Sequence, residues 1–240
     1  MRERQAVCRD GLLQSTGVRP KFLRVRAIVL AGVLAAGALL VSAPLAANSG
    51  WTLHSVPSAH FSIATPAAWV AIPQSRAGQQ ALVRSLQREG RSDALKVLRE
   101  FVGDHWQHVA SRKLDAVELP QTLPSDIATD VIVDVKPLPT GVSEDQSTLK
   151  QIVTGLYGQL KTSSGMHLEK PAAVRLEAGP SYLLFGSATA SGFGGARTGF
   201  AFYLLLHAGH IYSIECRTDA RFFDAHAALF RRIAGTFRYT

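Results

Sequence analysis

The chain has 240 residues, 47% of them hydrophobic and 18% charged, with 26 Lys and Arg against 18 Asp and Glu for a formal net charge of +8. That apolar content excludes a disordered tail, the aperiodic glycines exclude a collagen-like repeat, and two cysteines are too few for a disulfide-stapled miniprotein.

The charge is unevenly spread. Residues 1–47 carry seven basic side chains (Arg2, Arg4, Arg9, Arg19, Lys21, Arg24 and Arg26) against Glu3 and Asp10. They precede an uncharged run, Ala27 to Ala47, whose 21 residues would make a helix ~30 Å long, the thickness of a bilayer core. A pI near 9.9 would otherwise suggest nucleic acid, but this placement explains most of the excess, and no nucleic-acid partner is expected. The sequence therefore predicts a basic cytoplasmic leader over 1–26 and a membrane-targeting element over 27–47. The chain that follows should lie in the periplasm or on the periplasmic face of the inner membrane.

Both a cleaved signal peptide and an uncleaved anchor fit this segment. Val41 and Ala43 are small residues that would suit a cleavage site but place Pro44 next, whereas the long leader favours retention. Cys8 and Cys216 then fall on opposite faces of the membrane, so no disulfide between them is expected.

From Trp51 onward no low-complexity linker appears, and residues 51–240 read as one α+β domain with a helical insertion at about 77–111. Phe61 to Thr65 and Val70 to Ile72 read as short strands around the turn Pro66-Ala-Ala-Trp69. Gln79–Glu89 is a candidate helix stopped by Gly90. Ser92–Ala110 is a stronger one, with Ser92 as N-cap and Leu95, Leu98, Val102, Trp106 and Val109 on one stripe. Val131, Val133 and Val135 alternate with Asp130, Ile132 and Asp134 at strand period.

A helix follows, with Ser143 and Gln146 in a capping-box pattern and Leu149, Ile152, Val153, Leu156 and Leu160 at helical spacing. His167–Glu169, Val174–Glu177 and Ser181–Thr189 are strand candidates. Thr198–His207 and His210–Arg217 should form a hairpin about Ala208-Gly209. Phe200 to Leu206 is apolar on both faces, so layers must cover both sides of the sheet. The last helix, Ala220–Ala234, is capped by Asp219 and turns Phe222, Leu229, Phe230 and Ile233 inward.

The early Phe61-Ser-Ile with Pro66-Ala-Ala-Trp69, the helix Glu144–Lys161 after a strand, the hairpin ending Gly209-His-Ile-Tyr-Ser-Ile and the terminal Gly235-Thr-Phe-Arg together carry a likeness. In element order the chain resembles the superfamily of the PsbP subunit of photosystem II, the Mog-type Ran-binding proteins and the bacterial DcrB/DUF1795 group. The resemblance implies an antiparallel sheet sandwiched between helical layers, an α/β/α sandwich, although helical residues 77–111 depart from the usual short connection. Members do unrelated jobs and several are accessory binding proteins, so it implies a fold more than an activity.

Several patterns look chemical but lack context. His105 and His108 stand at i, i+3, a spacing that can share a metal, without the adjacent Glu of zinc proteases or an evident third ligand. His207 and His210 bracket the hairpin turn with Cβ atoms ~5 Å apart, which suits joint metal binding or exposed turn residues. His226 sits at the centre of the last helix's apolar face and reads as a hydrogen-bonded core residue. Cys216 reads as a small hydrophobe without a base to activate it.

Asp130 and Asp134 lie ~13 Å apart along one strand, too far for paired acid–base work. Ser147-Thr-Leu-Lys150 matches a serine acyl-enzyme motif but lies on a single helix. The loop Gly192–Gly199 lacks phosphate-binding spacing and connects two strands, leaving Phe193 and Arg197 as residues that could grip an acidic partner.

No catalytic, cofactor-binding or metal residues are predicted. The function expected is a non-catalytic binding module, exported or held by residues 27–47, that engages a protein or envelope component through Phe193, Arg197, His207 and His210. The alternative is a metal-dependent or hydrolytic enzyme using His105 and His108 or His207 and His210.

Overall fold

A computed structural model describes residues 50–92, 94–96, 98, 111–119, 127–163, 165–189 and 196–240. The leader with Cys8, the apolar run, and residues 99–110 of the second predicted helix lie outside them. Among the described residues, no helix is long and apolar enough to cross a membrane.

Eleven strands are described: β1 (Trp51–Val56), β2 (Phe61–Pro66), β3 (Trp69–Ala71), β4 (Arg112–Glu118), β5 (Asp130–Pro137), β6 (Met166–Leu168), β7 (Ala172–Leu176), β8 (Gly179–Thr189), β9 (Arg197–His207), β10 (His210–Asp219) and β11 (Arg238–Tyr239). The helices are α1 (Arg76–Arg88), α2 (Gln146–Lys161) and α3 (Phe223–Gly235). An antiparallel sheet runs β3-β4-β5-β10-β9-β8-β6, with β7 also paired to β8, and β1-β2-β11 form a separate small sheet.

The doubly apolar β9 explains the layering. Ala201, Tyr203 and Leu205 join Tyr212, Ile214 and Cys216 of β10 on one face, under Phe230 and Ile233 of α3 and Phe61 and Ile63 of β2. Phe202, Leu204 and Leu206 point the other way and pack beneath Leu149, Val153 and Leu156 of α2. Each large side chain so buried contributes ~1.5–3 kcal/mol. Toward the β3 edge, Leu82, Val83 and Leu86 of α1 and Ala94 and Leu98 cover Ile72, Val117 and Leu119. The fold is thus α+β with antiparallel sheets, but one covering layer is a helix plus a small sheet, because β1 and β2 supply an apolar face of their own.

Three local expectations are corrected. Asp145, and not Ser143, caps α2: its Oδ1 accepts from the Thr148 N–H at 2.7 Å, while the Ser143 hydroxyl donates to Asp145 Oδ2. A carboxylate is the better match to the dipole at a helix start. The last helix begins with a 3-10 turn, Ala220–Phe222, whose tighter winding rotates Phe223 in place of Phe222 onto the core. The candidate strand at Val174–Glu177 is the centre of a longer edge made of β6 and β7, which share β8 as partner. There a Cβ on Gly186 would stand 2.2 Å from the His167 carbonyl, so only glycine lets β6 approach β8.

Candidate functional site

The β9–β10 hairpin ends in an aromatic cluster assembled from four chain segments. His207 and His210 pair directly across Ala208-Gly209, whose φ values of 47° and 73° match the primed turn that follows strand twist. The His207 ring stacks on Tyr239 of β11 at 3.8 Å between centroids. Tyr239 in turn stands edge-on to Tyr212 at 5.2 Å, and the Tyr212 hydroxyl donates to the Ala59 carbonyl.

Glu144, just before α2, accepts the Gly209 N–H through Oε1, and the Leu138 N–H donates to the Gly209 carbonyl at 2.7 Å. His210 Nδ1 lies 2.8 Å from the Ala208 carbonyl and donates to it in the tautomer protonated there. Burial, aided by the Tyr212 phenol and the Glu144 carboxylate, pushes the Tyr239 phenol well above its ordinary value. It stays a neutral donor at any physiological pH.

The turn is held from both sides, so its rings form a rigid, partly exposed surface. Ala208 alone is ill suited to it, because a left-handed φ costs a non-glycine residue ~1–2 kcal/mol. Ala208→Asn, which tolerates that conformation, should raise the unfolding free energy by about 0.5–1 kcal/mol in urea titration. An unchanged midpoint would mean the turn relaxes in solution.

A second constellation lies on the face of the sheet that α1 and α2 cover, opposite Tyr212, Ile214 and Cys216. Asp115 of β4 and Glu215 of β10 flank Ile132 of β5 from its two sides, and Asp130 faces Arg217 one step along. Arg217 Nε donates to Asp130 Oδ1 at 2.9 Å and its Nη2 to Oδ2. Arg112 Nη1 lies 3.3 Å from Asp115 Oδ2, whereas Asp115 Oδ1 is buried and has no hydrogen-bond partner among the described residues.

Burial, reinforced by the Asp130 carboxylate and opposed by Arg112 and Arg217, pushes the Asp115 carboxyl up to about 8. Burial likewise raises Glu215 to about 7, against the pull of Arg217. The Arg217 guanidinium is held charged by Asp130 despite its burial. Asp115 and Glu215 thus hold their protons toward neutral pH, and the Asp115 and Asp130 side chains have no exposed surface.

The residues singled out from sequence do not converge. Arg197 starts β9 and His207 ends it, ~33 Å apart at strand rise, and Arg197 Nη2 is occupied by the Ser187 hydroxyl at 2.7 Å. His207 and His210 do come together. Phe193, His105 and His108 lie outside the described residues. Among the described residues no group of three His, Cys, Asp or Glu side chains is placed to hold a metal. His226 is buried, with Nδ1 3.0 Å from the Phe222 carbonyl, and Cys216 is buried with its thiol pushed well above the ordinary range by desolvation.

Glu144 and Tyr239 were missed because they reach the hairpin from 65 and 32 residues away in the chain. Asp115, Glu215 and Arg217 were missed because measuring along one strand ignores neighbours ~5 Å away across it. The charged letters opposite Val131, Val133 and Val135 were the available signal.

No protein-family model matches the chain, and no curated protein matches it. Solved structures do. Cyanobacterial PsbP (CyanoP) from Synechocystis is 9% identical, with 83% of this chain and 99% of that one covered at a TM-score of 0.49. LpqN of Mycobacterium tuberculosis, described as involved in cell envelope biogenesis, is 11% identical over 84% and 91%, with a TM-score of 0.47. The Saccharomyces cerevisiae Ran-binding protein Mog1p is 11% identical over 78% and 94%, with a TM-score of 0.42. PsbP and a Mog-type protein are thus among the structures this chain is similar to, as the sequence resemblance has it.

Proposed function

We propose that this chain is an exported, non-catalytic binding module, anchored by or released from residues 27–47, that engages a protein or envelope component at the hairpin end of its sheet. The observation that carries this reading is the His207–Tyr239 ring stack clamped by Glu144. Recognition groups on a rigid scaffold lose little entropy on binding, and aromatic side chains are the residues that most often anchor interfaces. Arg197 starts β9, at the far end of that strand from the ring stack, and is not needed for it.

The test is a photo-crosslinker at position 207 in the full chain, expressed with its own N-terminus, beside a reporter fused after Trp51. A discrete adduct that disappears in Tyr239→Ala, with the reporter active only outside the cytosol, supports the reading. A cytosolic reporter removes the export half; an adduct pattern indifferent to Tyr239 removes the binding surface. Stoichiometric metal lost on replacing His207 and His210 would establish the enzyme alternative instead.

A further inference from the structure

Helix α1 carries charges that its own structure disfavours. Arg76 occupies the first helical position, where the helix dipole repels a cation, and the first turn holds no acid. Arg84 and Arg88 form a like-charge pair at i, i+4, which also destabilises a helix. Arg76, Gln80, Arg84 and Arg88 make one exposed row ~18 Å long, opposite the face that buries Leu86.

None of these three arginines pairs with a carboxylate among the described residues; Glu89 at the end of the row accepts the Ser85 hydroxyl. Two shallow hollows, about 340 and 610 Å³, open along the row and share Arg84. Arg88 Nε donates to the Arg84 carbonyl at 3.4 Å, and among the described residues the terminal nitrogens of the row face no carboxylate, which leaves forked donors that suit an oxyanion.

We infer that the Arg76–Arg84–Arg88 row of α1 rests on anionic phospholipid headgroups. The inference rests on the proposed placement of residues 27–47 in a bilayer. Only residues 48–50 separate that run from β1, so the folded part stays within reach of the surface to which the run leads. The row lacks exposed large apolar side chains, as suits contact with headgroups and not insertion among acyl chains. Three arginines at an anionic surface strengthen adhesion on the order of 100-fold, and salt weakens it.

The experiment reconstitutes the full chain in nanodiscs of phosphatidylcholine alone or with one-third phosphatidylglycerol. The rate of phenylglyoxal modification at each arginine is then read by mass spectrometry. Expected is a slowing of about tenfold at Arg76, Arg84 and Arg88 on the anionic discs, reversed by 0.5 M NaCl, with exposed Arg175 of β7 unaffected. Equal rates on both discs overturn the inference. So does shielding by a polyglutamate peptide with none by the anionic lipid, which would make the row a protein site. If the chain does not insert, the same readout is made with added anionic vesicles: shielding there upholds the headgroup contact and fails only the anchor, whereas its absence overturns the contact.

Discussion

Arg217→Met should lower the unfolding free energy by about 3–5 kcal/mol at pH 7, the usual cost of stranding a buried charge. Asp130 has no exposed side-chain surface, and the guanidinium that grips both its oxygens is 29% exposed. Removing it leaves the Asp130 carboxylate beside Asp115 and Glu215 without its own ion-pair partner, Arg112 being held at Asp115, in an environment too dry to solvate it. The loss reports the stranded carboxylate more than the worth of the pair.

For that reason the double variant Arg217→Met/Asp130→Leu should recover most of the deficit, because two apolar side chains of similar volume can replace a buried ion pair at little net cost. The Thr129–Thr218 hydroxyl contact at 2.9 Å, one residue away on each strand, stays in place in both variants. Guanidinium unfolding of the wild type and the two variants measures this. A single-variant loss below about 1 kcal/mol would show that water reaches Asp130, and an unrecovered double variant would show that the site needs the charges themselves.

This same cluster marks how far the sequence could be read. The apolar run Phe200–Leu206, the Ala208-Gly209 turn and the stripe of α2 are local patterns, and each specifies its element directly. That β9 must be covered twice also followed from its letters alone. β4 escaped because Arg112-Lys-Leu-Asp-Ala-Val-Glu reads as polar surface, and no pattern tells that Asp115 is buried at mid-sheet until Arg112 and Arg217 are brought to it. β11 is two residues long and has no period to detect. The hairpin site was half legible: the paired histidines follow from turn length, whereas the ring beneath His207 comes from the far end of the chain.

Stability should fall as pH rises from 5 to 8, contrary to the usual behaviour of carboxylates. Asp115 and Glu215 release their protons near their ordinary values of 3.8 and 4.5 in the unfolded chain, but hold them to about 8 and about 7 in the fold. Between those limits the native state binds more protons, so each group's contribution is complete below pH ~4 and is lost as pH climbs through its folded value. Each proton's difference is worth ~1.4 kcal/mol per pH unit.

His54 works against them over part of the range. Burial beside the Thr65 hydroxyl lowers its imidazole from 6.5 to about 4, so its contribution is present above pH 6.5 and is lost as pH falls toward 4. From pH 5 to 6 it cancels about one of the two carboxyl protons; above 6.5 it cancels nothing. The decline should therefore be steepest between about pH 6 and 7.5, where the opposition of His54 fades while Glu215 and Asp115 still hold extra protons. Asp115→Asn, which fixes the neutral form, should match the wild type only below about pH 4, flatten the profile and exceed the wild type by a margin that grows from pH 5 to 8. Unfolding titrations at four pH values give the slopes directly. A wild-type profile that rises through neutrality, or an Asp115→Asn profile parallel to it, would mean that these carboxyls are ionised in the fold.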